Sequence, residues 1–187
     1  MRVHAGDLHG LVIVEPDVFR DDRGSFQVTY ERRQYLEAGI GLDFVQDNFS
    51  RSARGTLRGL HYQIEHPQGK LVQVVQGEVY DVVVDLRRHS HTFGRWSGIV
   101  LSEENRRQLY VPPGFAHGFL VTSEWADFLY KCTDFYSPEH ERTLRWDDPQ
   151  LAIDWPLDGG PLLSNKDRQG KTLAECETFE HGTEHGT

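Results

Sequence analysis

The chain has 187 residues, 37% of them hydrophobic and 26% charged, with a formal net charge of −9. That composition fits a folded chain with its own core rather than a disordered segment. The acidic balance argues against nucleic acid as the main partner, because duplex binding leans on Lys and Arg at the phosphates. A small phosphorylated ligand stays open, since a few local arginines outweigh a global charge. The longest apolar runs, such as Val82 to Val84, are far too short to span a bilayer. The start, Met1-Arg2-Val3-His4-Ala5-Gly6-Asp7, has no apolar stretch of the secretory kind. The expectation is a cytoplasmic protein with no membrane partner. Cys132 and Cys176 show neither metal spacing nor a disulfide framework and read as plain thiols.

In chain order, short β-branched and aromatic runs alternate with Gly, Pro and Asn. Strands are expected at Leu11 to Val14, Ser25 to Tyr30, Phe44 to Ser50, Leu57 to Gln63, Lys70 to Val75 and Glu78 to Leu86. Further strands are expected at Trp96 to Leu101, Arg107 to Val111, Gly118 to Thr122 and Ala126 to Thr133. A helix fits Glu31 to Ala38, ended by Gly39 as a left-handed cap, and a second short one fits Leu173 to Glu177. The fold expected is mostly β: a jelly roll or barrel with short flanking helices, forming one domain over residues 1–179. Residues 180–187 read as a polar, flexible tail, and its His181 and His185 as part of a frayed terminus rather than metal ligands.

Such a barrel can hold a ligand, so the polar residues that alternate onto its inner face matter most. In Gly55-Thr56-Leu57-Arg58-Gly59-Leu60-His61-Tyr62-Gln63, His61 and Gln63 point the same way. With Pro112-Pro113-Gly114-Phe115-Ala116-His117-Gly118-Phe119, this stretch resembles the paired signatures of cupins. Metal-binding cupins need a second histidine and a glutamate there. Here Gln63 replaces the histidine, and the glutamate position holds Pro67, Gln68 or Lys70. Two imidazoles beside a lysine make a poor divalent site. The expected cavity is polar and has lost its metal.

His, Lys and Tyr without a metal suit proton abstraction beside a carbonyl. His61 is the natural base, Lys70 or Arg58 can support the enolate oxygen, and Tyr130 can protonate the opposite face. Tyr130 shares a strand face with Phe128 and Cys132. Taken singly, each residue has a plainer reading. A strand histidine or tyrosine is commonly structural, Lys70 can snorkel outward, and Arg58 can pair with a carboxylate. Strict alternation also puts Arg58 on the face opposite His61 unless Gly59 marks a bulge.

At these residues the chain resembles the dTDP-4-dehydrorhamnose 3,5-epimerases, from about Glu15 to Lys171. The matching stretches include Gln46-Asp47-Asn48, Arg58-Gly59-Leu60-His61-Tyr62-Gln63, Gln68-Gly69-Lys70-Leu71-Val72, Asp81-Val82-Val83-Val84-Asp85, Pro113-Gly114-Phe115-Ala116-His117, Phe128-Leu129-Tyr130-Lys131 and Ser164-Asn165-Lys166-Asp167. The resemblance implies a jelly-roll homodimer acting on a dTDP-linked 4-keto-6-deoxy sugar, with no cofactor. It implies His61 as base, Asp167 as its partner, Tyr130 as acid and Lys70 at the enolate oxygen. It carries ligand contacts onto Arg23, Gln46, Asn48, Arg58, His117, Glu141 and Lys166. Val28 stands where the family usually has a nucleotide-contacting Glu, and Phe49 where His is common. Three other readings compete: a metal-dependent cupin, a sugar-nucleotide binder without catalysis, and a single-centre epimerase or 3,4-ketoisomerase.

Overall fold

The structure, a computed structural model, describes residues 1–180; the segment with His181 and His185 lies outside the described residues. Among the described residues, thirteen strands and two short helices follow one another. The strands are β1 (Arg2–Ala5), β2 (Val12–Glu15), β3 (Val18–Asp21), β4 (Gly24–Gln27), β5 (Gln46–Ala53), β6 (Leu57–Gln63) and β7 (Lys70–Gln76). Then come β8 (Glu78–Asp85), β9 (Trp96–Ser102), β10 (Gln108–Val111), β11 (Phe115–Val121), β12 (Trp125–Cys132) and β13 (Glu141–Thr143). The helices are α1 (Arg32–Glu37) and α2 (Asn165–Arg168).

The strands form a six-stranded sheet in the order β1-β2-β10-β7-β12-β5 and a five-stranded sheet in the order β13-β6-β11-β8-β9. Neighbouring strands in both sheets run antiparallel, and β3 and β4 make a separate antiparallel hairpin. Why the sheets face one another is readable in the alternation of side chains. Val72, Val74 and Phe128 from the first sheet pack with Val79, Val83, Leu101 and Phe119 from the second. The intervening residues of β8 and β11, Val82, Val84, Ala116 and Leu120, point to the other face. There the C-terminal segment covers them with Leu144, Leu151, Trp155, Leu173 and Phe179. β8 is therefore buried on both faces, which explains its unbroken valine run. Full burial of each such side chain is worth about 1.5–3 kcal/mol.

α1 forms as expected. The Glu31 carboxylate accepts hydrogen bonds from the backbone N–H groups of Arg33 and Gln34, and Gly39 closes the end at φ +85°. Tyr35 anchors the helix beside Val14, Leu71 and Tyr110 on the outer face of the first sheet. The second helix is a correction. Residues 173–176 form a turn, held by Thr172 hydrogen bonds to Glu175, and send Leu173 and Cys176 into the core. The short helix lies instead at α2, where the Ser164 hydroxyl accepts from the Asp167 N–H. The strand expected over Ser25 to Tyr30 ends at Gln27, and β1, β3 and β13 add to the expected set.

Candidate active site

Between the two sheets lies a cavity of about 360 Å³. β6 supplies His61, whose Nε2 lies 2.6 Å from Asp167 Oδ1. Asp167 is held in turn: its Oδ1 accepts from the Gly59 N–H at 3.3 Å, and its Oδ2 from the Ser164 hydroxyl at 2.6 Å. Burial would raise the Asp167 carboxyl, but the hydrogen bonds from His61, Ser164 and Gly59 win, and its pKa falls below the ordinary value. With an ionised Asp167 on Nε2, the His61 nitrogen left for the cavity is Nδ1. Burial lowers the His61 pKa against the opposing pull of Asp167, with Lys166 and Lys70 adding to the fall. A histidine so placed is neutral at pH 7 and ready to accept a proton.

Arg58 also lines this cavity, although strict alternation places it on the opposite face. The pairing of β6 with β11 explains how. His117 lies opposite His61, yet Phe119 lies opposite Arg58, so β6 carries one extra residue. Gly59 takes this bulge at φ +112°, where a Cβ would stand 2.7 Å from the His117 carbonyl oxygen. Arg58 Nε donates to the Ser52 hydroxyl at 3.0 Å.

The facing sheet brings Lys70 from β7 and Tyr130 from β12 to the same cavity. Burial lowers the Lys70 pKa, opposed by Cys132, Glu141 and Asp81. Burial raises that of Tyr130, so the phenol keeps its proton at neutral pH. Phe128, Tyr130 and Cys132 share the inner face, as alternation predicts. Gln46 and Asn48 line the cavity from β5, with Gln46 donating to Asn48 at 2.9 Å. Glu141 and Lys166 close one side as an ion pair at 2.7 Å. His117 lines it from β11, backed by the buried Asp81.

Gln63, where a metal-binding cupin has histidine, has structural work. Its amide donates to the carbonyls of His66 and Phe135 and accepts from the Ser137 N–H. Among the described residues, no three His, Cys, Asp or Glu side chains are placed to hold a metal ion. Two residues carried over by resemblance lie elsewhere. Arg23 sits on the β3–β4 hairpin, paired with Asp21 at 2.6 Å, and Val28, 45% exposed, follows it. Neither lines the cavity. Sequence reasoning also missed Tyr136, which lines the cavity and donates to Glu141 at 2.9 Å, and Asp81. Tyr136 sits on a connection with no periodicity to point to it.

Two facing sheets around a carboxylate-backed histidine define a cupin-type jelly roll equipped for acid–base work on a ligand held inside it. The chain belongs to the dTDP-4-dehydrorhamnose 3,5-epimerase family, whose model matches residues 5–175. It is 61% identical to the dTDP-4-dehydrorhamnose 3,5-epimerase of Pseudomonas aeruginosa over 170 residues, covering 90% of this chain and 94% of that one. A crystal structure of a dTDP-6-deoxy-D-glucose-3,5-epimerase from Legionella pneumophila, in complex with dTDP-4-keto-L-rhamnose, superposes with a TM-score of 0.94 at 50% identity. That match covers 96% of this chain and 98% of the other. The chain is also similar to the 3'-monoepimerase ChmJ from Streptomyces bikiniensis, crystallised with dTDP-quinovose. There the TM-score is 0.86 at 36% identity, covering 91% of this chain and 87% of that one.

Proposed function

We propose that this enzyme inverts both carbon centres beside the ketone of dTDP-4-dehydro-6-deoxy-D-glucose, giving dTDP-4-dehydro-L-rhamnose for dTDP-L-rhamnose biosynthesis. The observation that carries this is the placing of the His61–Asp167 pair and of Tyr130 on facing sheets around one cavity. His61 Nδ1 takes the α-proton. The electron pair of the broken C–H bond moves to the ketone oxygen, which becomes an enolate supported by the Lys70 ammonium. Tyr130 returns a proton from the other face, and exchange with solvent resets both groups. Gln46, Asn48, Arg58, His117, Glu141 and Lys166 hold the ligand, with the Arg58 guanidinium suited to a diphosphate oxygen. No cofactor is required.

A homodimer fits the placement of the β3–β4 hairpin. Arg23 and Val28 stand away from the chain's own cavity, Arg23 beside the exposed Phe19 and Phe26, where a second copy can meet them. The thiols of Cys132 and Cys176 are free, which suits the reducing cytoplasm. No helix of the described residues is long and apolar enough to cross a membrane.

The test is incubation with the 4-keto sugar nucleotide in deuterated water, read carbon by carbon. Deuterium and inversion at both α-carbons are expected. Exchange at one carbon alone makes the protein a single-centre epimerase, and exchange at neither makes it a binder. Stoichiometric, tightly bound transition metal in the purified protein would overturn the cofactor-free mechanism.

A further inference from the structure

Opposite His61 in the sheet stands a second imidazole with a carboxylate of its own. His117 Nε2 lies 3.0 and 2.9 Å from the two oxygens of Asp81. Asp81 is completely buried and His117 nearly so. Burying a carboxylate is costly unless it is paired, so this one is held for what it does to its partner. The His117 ring is fixed on its flat side as well, stacked on Phe128 at 27° between planes. Nε2 is committed to Asp81. Nδ1 has no protein partner among the described residues, and His117 lines the cavity. The titratable groups that share the cavity with it are His61, Arg58 and Tyr62 on β6, Lys70 on β7, Tyr130 and Cys132 on β12, and Tyr136, Glu141 and Lys166.

We propose that Asp81 is a positioning residue for the epimerisation: it fixes His117 so that Nδ1–H joins Lys70 in supporting the enolate oxygen. This rests on reading the cavity as an epimerase site. The proton count is consistent. The role requires two protons on the pair, one shared between Asp81 and His117 Nε2 and one on Nδ1, so that Nδ1 donates whichever atom holds the shared one. Burial raises the Asp81 carboxyl above its ordinary range, opposed by His117 and Lys70, and so favours keeping that proton. No proton leaves the pair during turnover. His117 donates a hydrogen bond that strengthens as negative charge develops on the oxygen. In the sequence Asp81 is one acid inside a valine-rich strand, with nothing local to single it out.

The test compares wild type, Asp81→Asn, His117→Gln and the double variant, measuring kcat and KM for inversion together with thermal melting. Asparagine keeps the shape of aspartate and removes its charge. Each single variant is expected to lower kcat about tenfold or more with KM held within about threefold, the pattern of an interaction made mainly in the transition state. The double variant is expected to be no slower than the slower single by more than about threefold, because Asp81 acts through His117. Losses that multiply in the double variant overturn the proposal, as does an Asp81→Asn enzyme with unchanged kcat. A rise in KM alone also overturns it, because His117 would then be a simple binding contact. Should Asp81→Asn fail to fold, His117→Gln decides. A kcat within about twofold of wild type leaves Asp81 nothing to position, while a tenfold fall at constant KM upholds the role. The two readings fail separately. A wild-type protein that exchanges no α-proton sinks the epimerase reading and this proposal with it, whereas an active wild type with an indifferent Asp81 sinks only the latter.

Discussion

His61 and Asp167, 106 positions apart in the chain, meet at 2.6 Å between Nε2 and Oδ1. The contact assigns work to the two ring nitrogens. Nε2 is tied to the carboxylate, so Nδ1 is the nitrogen left for the cavity. A carboxylate behind an imidazole fixes its tautomer and stabilises the imidazolium that forms when it accepts a proton.

His61→Ala is expected to abolish exchange of the substrate α-protons while leaving melting temperature and nucleotide binding largely intact. Only the base is lost, since Gln46 and Asn48 on the facing sheet and Arg58, Glu141 and Lys166 remain. Exchange in deuterated water and binding of dTDP, measured on one preparation, separate these effects. A folded His61→Ala protein that exchanges at the wild-type rate places the base elsewhere.

Asp167→Asn tests the partner. The amide oxygen can still accept from Gly59, but the charge that supports a protonated His61 is gone. The exchange rate is expected to fall about 10²-fold or more. Binding of dTDP should change little, because Asp167 sits behind His61 and does not line the cavity. Wild-type exchange from this variant would remove Asp167 from the mechanism.

Activity should survive into mildly acidic solution. Burial lowers the His61 pKa, so the base stays unprotonated below the ordinary histidine value of about 6.5. The acid limb of the kcat/KM profile, which reports the free enzyme, is therefore expected below that value, with kcat/KM falling as pH drops through the folded pKa of His61. Stability carries the same sign. Between the unfolded and folded pKa values the unfolded chain binds the proton and the folded one resists it, so the fold weakens as pH falls through that window. A limb centred above about 6.5 contradicts this assignment of the base.

How much of this was readable from residues alone depends on distance along the chain. Alternation is a local rule, and it correctly put Phe128, Tyr130 and Cys132 on one face and His61 with Gln63 on another. The face of Arg58 depends on the bulge at Gly59, which is defined only against β11. Asp167 reaches His61 through a short helix capped by Ser164, and hydrophobic spacing put a helix at Leu173 to Glu177 instead. Resemblance, not periodicity, pointed to Asp167. Resemblance also named Arg23 and Val28, but it could not say that they stand on a hairpin outside the chain's own cavity. Resemblance placed Asp81 in a matching stretch but gave it no role, because its contact with His117 forms only once β8 lies beside β11.

Gly118→Ala probes the close approach of β6 and β11. A Cβ at Gly118 would meet the Arg58 carbonyl oxygen at 2.4 Å. Backbone cannot yield as a flexible side chain does, so the strands must part beside His61 and His117. The expected cost is about 1–3 kcal/mol of stability, with a fall in kcat. Gly160→Ala is the control, since a Cβ there meets nothing within 4 Å. Equal melting temperatures and equal kcat for the two variants would show that the strands have room to spare.

Tyr130→Phe isolates one proton. The ring stays, so its packing against Phe128 is kept, and only the hydroxyl is lost. Burial holds the Tyr130 phenol above its usual pKa, which keeps it protonated and able to act as an acid at neutral pH. Tyr130 rises from the sheet that faces His61, so the two groups address opposite sides of a ligand between them. Without the hydroxyl, His61 still removes an α-proton and returns one to the same face. Washout of substrate protons into solvent should therefore survive better than net inversion. Inversion is expected to fall about 10²-fold or more, the range for one well-placed acid. A hydroxyl with a purely structural role gives a different outcome: about 1 kcal/mol of stability lost and turnover nearly unchanged. Exchange, inversion and thermal melting measured on the same sample distinguish the two. Equal falls in exchange and inversion would show that Tyr130 does not act on one face alone. If neither falls, the acid is another group, with water or His117 next to be tested.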